Sequence, residues 1–511
     1  MSDLVDLVER SLASDTASRF RDRVERQATS LREAIDAGRF DNDEFAVGLE
    51  MEVYAVAPAQ SRSEGWPEQL ATLPASAFEG PANKELGVHN AELNTDPNVF
   101  EEAGLATQAD AIASSLSRAR DDARAAGGEL VLDAMWTLPP AEGSYEYLAA
   151  VDDRDGVTVA KHMQPDPRYV AIDNASLRGG GGSLGFSVPG HDREFPTILF
   201  ESLASSIQPH LQVPAADRFP AYYNAGIRTL GPVLALSTNS PFLPGDLYAV
   251  EDPERLVAET HHELRIAAFE QSVSRTVNPK VRVPRDIETA TDVVDRVVED
   301  DLVAPFLREW LDDSARETLA ERHWEFDHKR TTYWRWLRCV VGGDPVGTGD
   351  ERSLRIEYRP LPTQPTVRDV VGLQALVAGL LRGLVAADHP LAELPWEDAE
   401  RSFYSAVREG PDADIAWVTV DREHTSDPAV IFEEVFAYAR EGLAAAGVTD
   451  PDRYLAPIEA RWEAKTTPSV WKKARVREGL ADGLGLEDAI ARMQREYVRR
   501  SRESASFAEW L

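Results

Sequence analysis

The chain has 511 residues, enough for about three domains of ordinary size or for one large α/β or α+β unit, and its 43% hydrophobic content with 11 Trp excludes a disordered polymer. Acids outnumber bases 88 to 54, for a net charge of −34, and they are spread along the whole chain, which argues against the clustered cations that a nucleic-acid partner requires. The single cysteine, Cys339, excludes an internal disulfide and a cysteine metal cage.

Lysine occurs only at Lys84, Lys161, Lys280, Lys329, Lys465, Lys472 and Lys473; every other cation is Arg. A carboxylate-dense surface with so little lysine suits molar salt, where self-repulsion is screened over about 3 Å. The expectation is a halophilic, cytoplasmic protein. Met1–Val8 carries Asp3 and Asp6 where a signal peptide would be basic. The apolar run Val370–Val385 contains Gly, Gln and Arg and falls short of a membrane span.

Helical spacing of Leu4, Val5, Val8 and Leu12, then of Phe20, Val24, Leu31 and Ile35, predicts helices through residue 35, with Asp15 and Thr16 capping the second. Alternation predicts strands over Phe45–Val56 and His89–Asn94. A helix over Thr107–Ala126 should stop at Gly127-Gly128. Leu130–Trp136 reads as a strand, Arg178–Gly185 as a glycine-rich loop and candidate lid, and Ser206–Val213 as a further strand. Helices are expected over Tyr222–Leu236, Pro253–Val273 and Ala290–Leu311. Arg352–Pro360 alternates again, and Val367–Ala387 is a strongly apolar helix. Beyond Val430 the chain reads as helices only: Phe432–Ala445, Pro451–Glu463, Val470–Leu480 and Glu487–Arg502. This divides the chain into N-terminal helices (1–40), a catalytic domain (41–425) and a C-terminal helical extension (426–511), which either stands apart or wraps the main body.

Strand residues two apart share a face. Glu50 and Glu52 therefore lie on one side of Gly48–Val53, opposite Leu49, Met51 and Val53. In the same way Asn90, Glu92 and Asn94 align, as do Gln208, His210 and Gln212, and Arg355, Glu357 and Arg359. If the four segments join one antiparallel sheet, one face packs on helices and the other is a floor of carboxylates, amides, an imidazole and guanidinium groups. Such a floor suits Mg²⁺ or Mn²⁺ with nucleotide phosphates, and arginines beside it suit a transferring phosphoryl group. The wet face of any one-sided sheet is polar as well, so the pattern leaves both readings open. Glu50 and Glu52, side by side, repel each other unless a cation lies between them.

These segments resemble the glutamate–cysteine ligase and carboxylate–amine ligase family. Gly48-Leu49-Glu50-Met51-Glu52 is similar to its opening strand and Asn90–Pro97 to its second acidic strand. Ser206–Val213 resembles its His-bearing strand and Leu234–Phe242 its Asn-Ser-Pro turn. Arg355–Arg359 with Gln364–Val367 resembles the last catalytic strand and helix entry. The ordered set spans about residues 45 to 410. The resemblance implies an α+β, glutamine-synthetase-like fold with a curved antiparallel sheet that binds ATP and Mg²⁺ or Mn²⁺. It implies metal ligation by Glu50, Glu52, Glu92, His210 and Glu357, catalytic roles for Glu357, Arg359 and His210, and phosphoryl contact by Arg359. Gln208 and Arg408 are candidates for the nucleotide, Arg335 and Arg338 for a substrate carboxylate, and Asn239 for the pocket wall. Trp334 and Trp336 are more often packing residues than ligand contacts. No Gly-x-x-x-x-Gly-Lys-Ser/Thr phosphate loop occurs. The implied reaction is ATP-dependent joining of glutamate to cysteine; another amine or carboxylate on the same machinery, or a non-catalytic binding protein on the same fold, are the alternatives. The partners expected are small molecules, with neither nucleic acid nor membrane.

Overall fold

Strand β1 (Ala46–Pro58) is the spine of the molecule, a computed structural model that describes residues 2–58, 67–273, 279–311 and 318–511. Eight further strands join it in one sheet: β2 (Pro67–Leu70), β3 (Ala82–Lys84), β4 (Asn90–Asn94), β5 (Asn98–Val99), β6 (Glu129–Val131), β7 (Ile207–Val213), β8 (Leu337–Val341) and β9 (Leu354–Tyr358). The path runs β8-β9-β7-β1-β4-β3, with every pairing antiparallel. The four alternating segments of the sequence are therefore neighbours. Register places Glu50 opposite Gln208, Glu52 opposite Glu92, and His210 opposite Glu357.

The other face carries Leu49, Met51, Val53, Leu211 and Ile356, all buried. Helices Phe219–Ala235 and Val367–Ala386 pack beneath the sheet. This is the expected α+β architecture, an antiparallel sheet flanked by helices. Val367–Ala386 is long and apolar enough to cross a membrane, yet 89% of its most apolar stretch is buried inside the protein, where it serves as the central core helix.

Helix Pro428–Ala445 lies directly on that core helix. The approach depends on Gly379, Gly383 and Gly442: a Cβ on Gly383 would sit 1.9 Å from the Tyr438 carbonyl oxygen, and one on Gly442 equally near the Gly379 oxygen. Gly383→Ala is expected to cost about 1–3 kcal/mol or more, because two helix backbones would have to separate. Denaturant unfolding at fixed KCl measures this; an unchanged midpoint would mean the helices slide apart freely. Three more helices follow, Asp452–Glu463, Pro468–Ala481 and Leu486–Glu503. Their buried cations tie them to the sheet-bearing part: Arg461 pairs with Asp369 at 2.8 Å, and Lys472 with Asp133 at 2.5 Å.

Several expected elements differ. The run Arg178–Gly185 is not a loop throughout. Helix Pro167–Gly180 extends into it, Gly181 ends that helix in the left-handed region (φ 79), and the hairpin Leu184–Val188/His191–Phe195 begins just after. Arg168, Tyr169 and Ile172, nearer the helix start, line a pocket over the sheet, and Gly179–Gly182 lie about 10–15 Å further along the axis, at a helix end and hairpin start and not in a free loop that a lid would need. Pro253–Val273 is two helices, Pro253–Glu259 and Leu264–Ser272, because the His262 and Glu263 amides bond the Val407 carbonyl instead of continuing the turn. Ala290–Leu311 is α-helical only over Asp292–Glu299, with a single 3-10 turn at Arg308–Trp310; Pro305 disfavours helix at Ala304, which takes φ 45. Leu130–Trp136 is extended only as far as Val131 before Asp133 turns to bond the Ala134 amide. Helix Ser14–Asp36 has Ala13 as its N-cap with no side-chain bond, and Asp15 sits in its first turn.

Candidate active site

The polar face of the sheet opens into a pocket of about 260 Å³. β1 contributes Glu50 and Glu52, β4 contributes Glu92, β7 contributes Gln208, and β8 contributes Arg338; Arg359 follows β9 directly. Four residues the sequence reading did not single out complete the walls: Glu85, Arg168, Glu201 and Arg265. Trp334 lines the pocket too, whereas Trp336 is buried and donates to Glu270 at 2.8 Å.

Glu357 is the electrostatic hub. Its side chain is 1% exposed, and it pairs with Arg338 at 2.6 Å and with Arg359. Burial alone would raise its pKa; the two guanidinium groups overcome that and hold it far below the ordinary carboxylate range. Arg359 also donates to Gln208 Oε1 at 2.7 Å, which fixes the guanidinium plane across the sheet. Burial pulls Arg338 down to about 10 against the attraction of Glu357. His210 Nε2 lies 3.2 Å from Glu50 Oε1, and this contact, working against burial, holds Glu50 below its usual value.

The opposite bank behaves differently. Burial, then the charges of Glu50 and Glu52, push Glu92 up to about 8. Burial and the nearby Glu92, Glu52 and Glu201 carry Glu85 well above the carboxylate range, and Glu201 rises to about 8 through burial and Glu52. Glu52 is raised by burial, although it accepts hydrogen bonds from the Ser206 amide (2.6 Å) and hydroxyl (2.9 Å). Carboxylates this close are strongly frustrated without positive charge among them.

Two sets bring one ligand atom per residue to within 4.8 Å of one another: Glu50, His210 and Glu357, and Glu52, Glu85 and Glu92. Their oxygen-rich composition fits hard divalent cations. The His210 ring adds a second point of fit, because its Nδ1 is buried with no hydrogen-bond partner among the described residues. Arg265 stands behind Glu52 near Arg359; Glu263, fully buried, lies 3.4 Å from its Nε.

Three residues proposed from sequence lie elsewhere. Arg335 is an odd number of positions from Arg338 in an extended segment, so it points to the opposite side. There it is buried, pairs with Asp300 at 2.7 Å and faces a separate cavity beside Arg282 and Tyr333. Arg408 is exposed at the C-terminal end of helix Trp396–Glu409, near His261. Asn239 is a buried joint: its amide donates to the Thr363 carbonyl (2.7 Å) and Tyr497 hydroxyl (2.8 Å). Arg335→Ala is accordingly expected to lower the melting temperature by leaving buried Asp300 with Lys280 as its one remaining cation and by removing the bond to the Lys280 carbonyl, with substrate Michaelis constants within about twofold of wild type. A selective rise in one substrate's constant without a stability loss would return Arg335 to the substrate site.

Glu201 had a visible signal, a single acid in the apolar run Ile198–Leu203. Glu85 had little, since it lies in the irregular stretch between β3 and β4, outside the alternating rows.

The family model described as glutamate-cysteine ligase family 2 matches residues 46–504. No curated protein matches the chain. Among solved structures, the chain is similar to the glutamate–cysteine ligase of Francisella tularensis in complex with AMP (13% identity, TM-score 0.46, covering 91% of this chain and 90% of that one). It is also similar to a bifunctional glutathione synthetase from Pasteurella multocida (15% identity, TM-score 0.49, 90% of this chain and 53% of that one). The family match spans the whole sheet and all four C-terminal helices, so the chain belongs to glutamate–cysteine ligase family 2 and is an ATP-dependent ligase that joins a carboxylate to an amine.

Proposed function

We propose that this protein joins the γ-carboxylate of glutamate to the amine of cysteine through an acyl phosphate. The observation that carries the reading is the convergence of Glu50, Glu52, Glu92 and Arg359 on one pocket, with His210 and Glu357 buried beside Glu50 at its edge, the residues that the resemblance to the family implies.

A carboxylate is inert towards an amine at neutral pH; transfer of the γ-phosphoryl group of ATP to it creates a leaving group that the amine displaces. Mg²⁺ or Mn²⁺, held by Glu50, His210 and Glu357 and by Glu52, Glu85 and Glu92, would neutralise phosphate charge at this floor. Arg359 is oriented by Glu357 and Gln208 and faces the phosphoryl group as charge moves onto the bridging oxygen. Gln208, on the same strand as His210, holds that guanidinium in place and reaches Glu52 at 3.2 Å. Arg338, on the strand next to Glu357, is the remaining candidate for gripping a substrate carboxylate, which a planar guanidinium binds through two parallel hydrogen bonds. Aromatic and apolar groups, Phe269, Ile172 and Trp334, limit water at the same walls, which protects an acyl phosphate from hydrolysis.

Arg359→Lys should lower kcat by roughly tenfold to a hundredfold with little change in Michaelis constants, since lysine keeps the charge but lacks the planar guanidinium, whose Nη1 is anchored on Gln208 and Glu357 while its other nitrogens are left for the phosphoryl group. Steady-state rates measure this; a raised Michaelis constant at unchanged kcat would make Arg359 a ground-state binding group. The reading as a whole is tested by ADP release in molar KCl with Mg²⁺, over a matrix of carboxylates and amines. A signal that requires both glutamate and cysteine supports it. A signal with another pair keeps the ligase chemistry and replaces the substrates. No ADP with any pair from folded, nucleotide-binding protein would overturn it.

A further inference from the structure

Among the described residues, Glu201 is the pocket carboxylate that belongs to neither candidate cation set. It is half-buried, and its carboxylate accepts no hydrogen bond and makes no ion pair among those residues. Its electrostatic neighbours are Glu52, which repels it, and Arg359 and Arg265, which attract it. Both guanidinium groups are engaged elsewhere: Arg359 with Glu357 and with Gln208 at 2.7 Å, Arg265 with the Pro360 carbonyl.

The turn that carries Glu201, Ile198–Leu203, is pinned at both ends. At its start the Ile198 amide donates to Asp173 at 2.8 Å, and the Thr197 hydroxyl donates to the same carboxylate at 3.0 Å. At Ser202 the backbone carbonyl accepts from His89 Nε2 and from Trp136 Nε1, both at 3.0 Å. Asp173, Thr197, His89 and Trp136 are fully buried. The surroundings are apolar. Ile198 and Ala204 flank Glu201 in the wall, and helix Leu264–Ser272, which packs on the turn, adds Phe269. A carboxylate fixed in such a wall without a counter-charge costs stability, and proteins retain costs of this kind where function uses them. Burial and Glu52 raise its pKa to about 8, so the empty pocket disfavours the anion and favours any cation that arrives beside it.

We propose that Glu201 receives the acceptor amine, pairing with the ammonium as it enters and then accepting from the N–H of the neutral amine as it attacks, while the apolar wall selects an acceptor with a small uncharged side chain. The inference rests on the ligation of glutamate to cysteine proposed above. Arg359 faces the phosphoryl group, so a carboxylate on the Arg359 side of the pocket is placed for the attacking nitrogen. The α-ammonium of the donor glutamate is four bonds away from the carbon that is attacked.

Hydroxylamine provides the test, because it is uncharged at neutral pH and traps an acyl phosphate as a hydroxamate. It therefore reads the donor half of the reaction without the charge contact. In Glu201→Gln the ratio of kcat/KM for cysteine to kcat/KM for hydroxylamine should fall roughly tenfold or more, with the loss in the Michaelis constant for cysteine. Glu201→Asp, which keeps the charge, should recover part of that ratio. The compound 3-mercaptopropionate, which is cysteine without its ammonium, should inhibit Glu201→Gln at least as well as it inhibits wild type. The Gln variant should melt at or above the wild-type temperature, since it removes an unmatched charge; a purely structural carboxylate would lower it. Equal losses with cysteine and hydroxylamine would overturn the proposal and assign Glu201 to phosphoryl transfer. An unchanged ratio, or a Gln variant that unfolds where the Asp variant folds, would overturn it too. Wild-type protein that makes no hydroxamate from glutamate would instead overturn the substrate reading, and the ratio is then taken with the donor and amine that release ADP.

Discussion

Glu357→Gln is expected to abolish ligation, by roughly a thousandfold or more in kcat, and to destabilise the protein as well. The rate loss follows from what the carboxylate touches: it holds Arg338 and Arg359, faces His210 across the β7–β9 pair, and belongs to one of the two candidate cation sets. The neutral amide can accept from one guanidinium but supplies no charge. The stability loss has a separate cause. Arg338 and Arg359, each 12% exposed, would remain buried without their counter-charge, which typically costs about 3–5 kcal/mol. Alternation alone suggests a variant that folds as wild type because the apolar row of Ile356 and Tyr358 is untouched; the ion pairs on the other face remove that expectation. Turnover should be measured at a KCl concentration where thermal unfolding confirms a folded variant. Glu357→Asp, with the charge kept one methylene short, should recover part of the stability and little of the rate. Near-normal turnover in Glu357→Gln would sink the role assigned to this residue.

Much of the catalytic sheet is legible because its signal is local. Period-two alternation in Gly48–Val53, Asn90–Asn94, Gln208–Val213 and Arg355–Arg359 reports both extended backbone and the side on which each polar group lies. That these strands pair with one another, and in the order β9-β7-β1-β4, is a long-range fact that alternation cannot carry. The resemblance to a family supplies it instead. Where polar groups come from helices or turns, the period-two signal vanishes. Arg265 sits in a nine-residue helix, Glu201 in a short 3-10 turn and Glu85 in an irregular stretch, and all three reach the pocket only through tertiary packing.

The misplaced arginines show the converse. Arg335 and Arg338 look equivalent in Trp334-Arg335-Trp336-Leu337-Arg338, yet one residue of parity separates a pocket group from a buried strut to Asp300. Helix boundaries fail for a related reason. Pro253–Val273 has continuous helical spacing, but the amides of His262 and Glu263 find a better partner in the Val407 carbonyl, 144 residues on from Glu263. Tertiary hydrogen bonds of this kind outweigh propensities worth a few tenths of a kcal/mol per residue.

Lys472→Met is expected to cost about 3–5 kcal/mol although Lys472 is remote in sequence from every strand. Lys472 Nζ is bonded to Asp133 Oδ1 at 2.5 Å and to the Asn239 carbonyl at 2.7 Å, with both side chains of the ion pair almost wholly buried. Asp133 also accepts from Gln494 at 2.7 Å, and Gln494 donates to the Tyr54 hydroxyl on β1. A methionine fills the space but strands a carboxylate whose pKa burial already raises. Part of the penalty should therefore disappear in Lys472→Met/Asp133→Asn, where no charge remains to be neutralised, and the double-mutant cycle isolates the pairing energy. If the C-terminal helices unfold together with the sheet, a single cooperative transition should move to lower denaturant in Lys472→Met. A two-step transition whose second step keeps the wild-type midpoint would instead show that the helices from Pro428 onward form a separable unit and that this ion pair joins two independent folds.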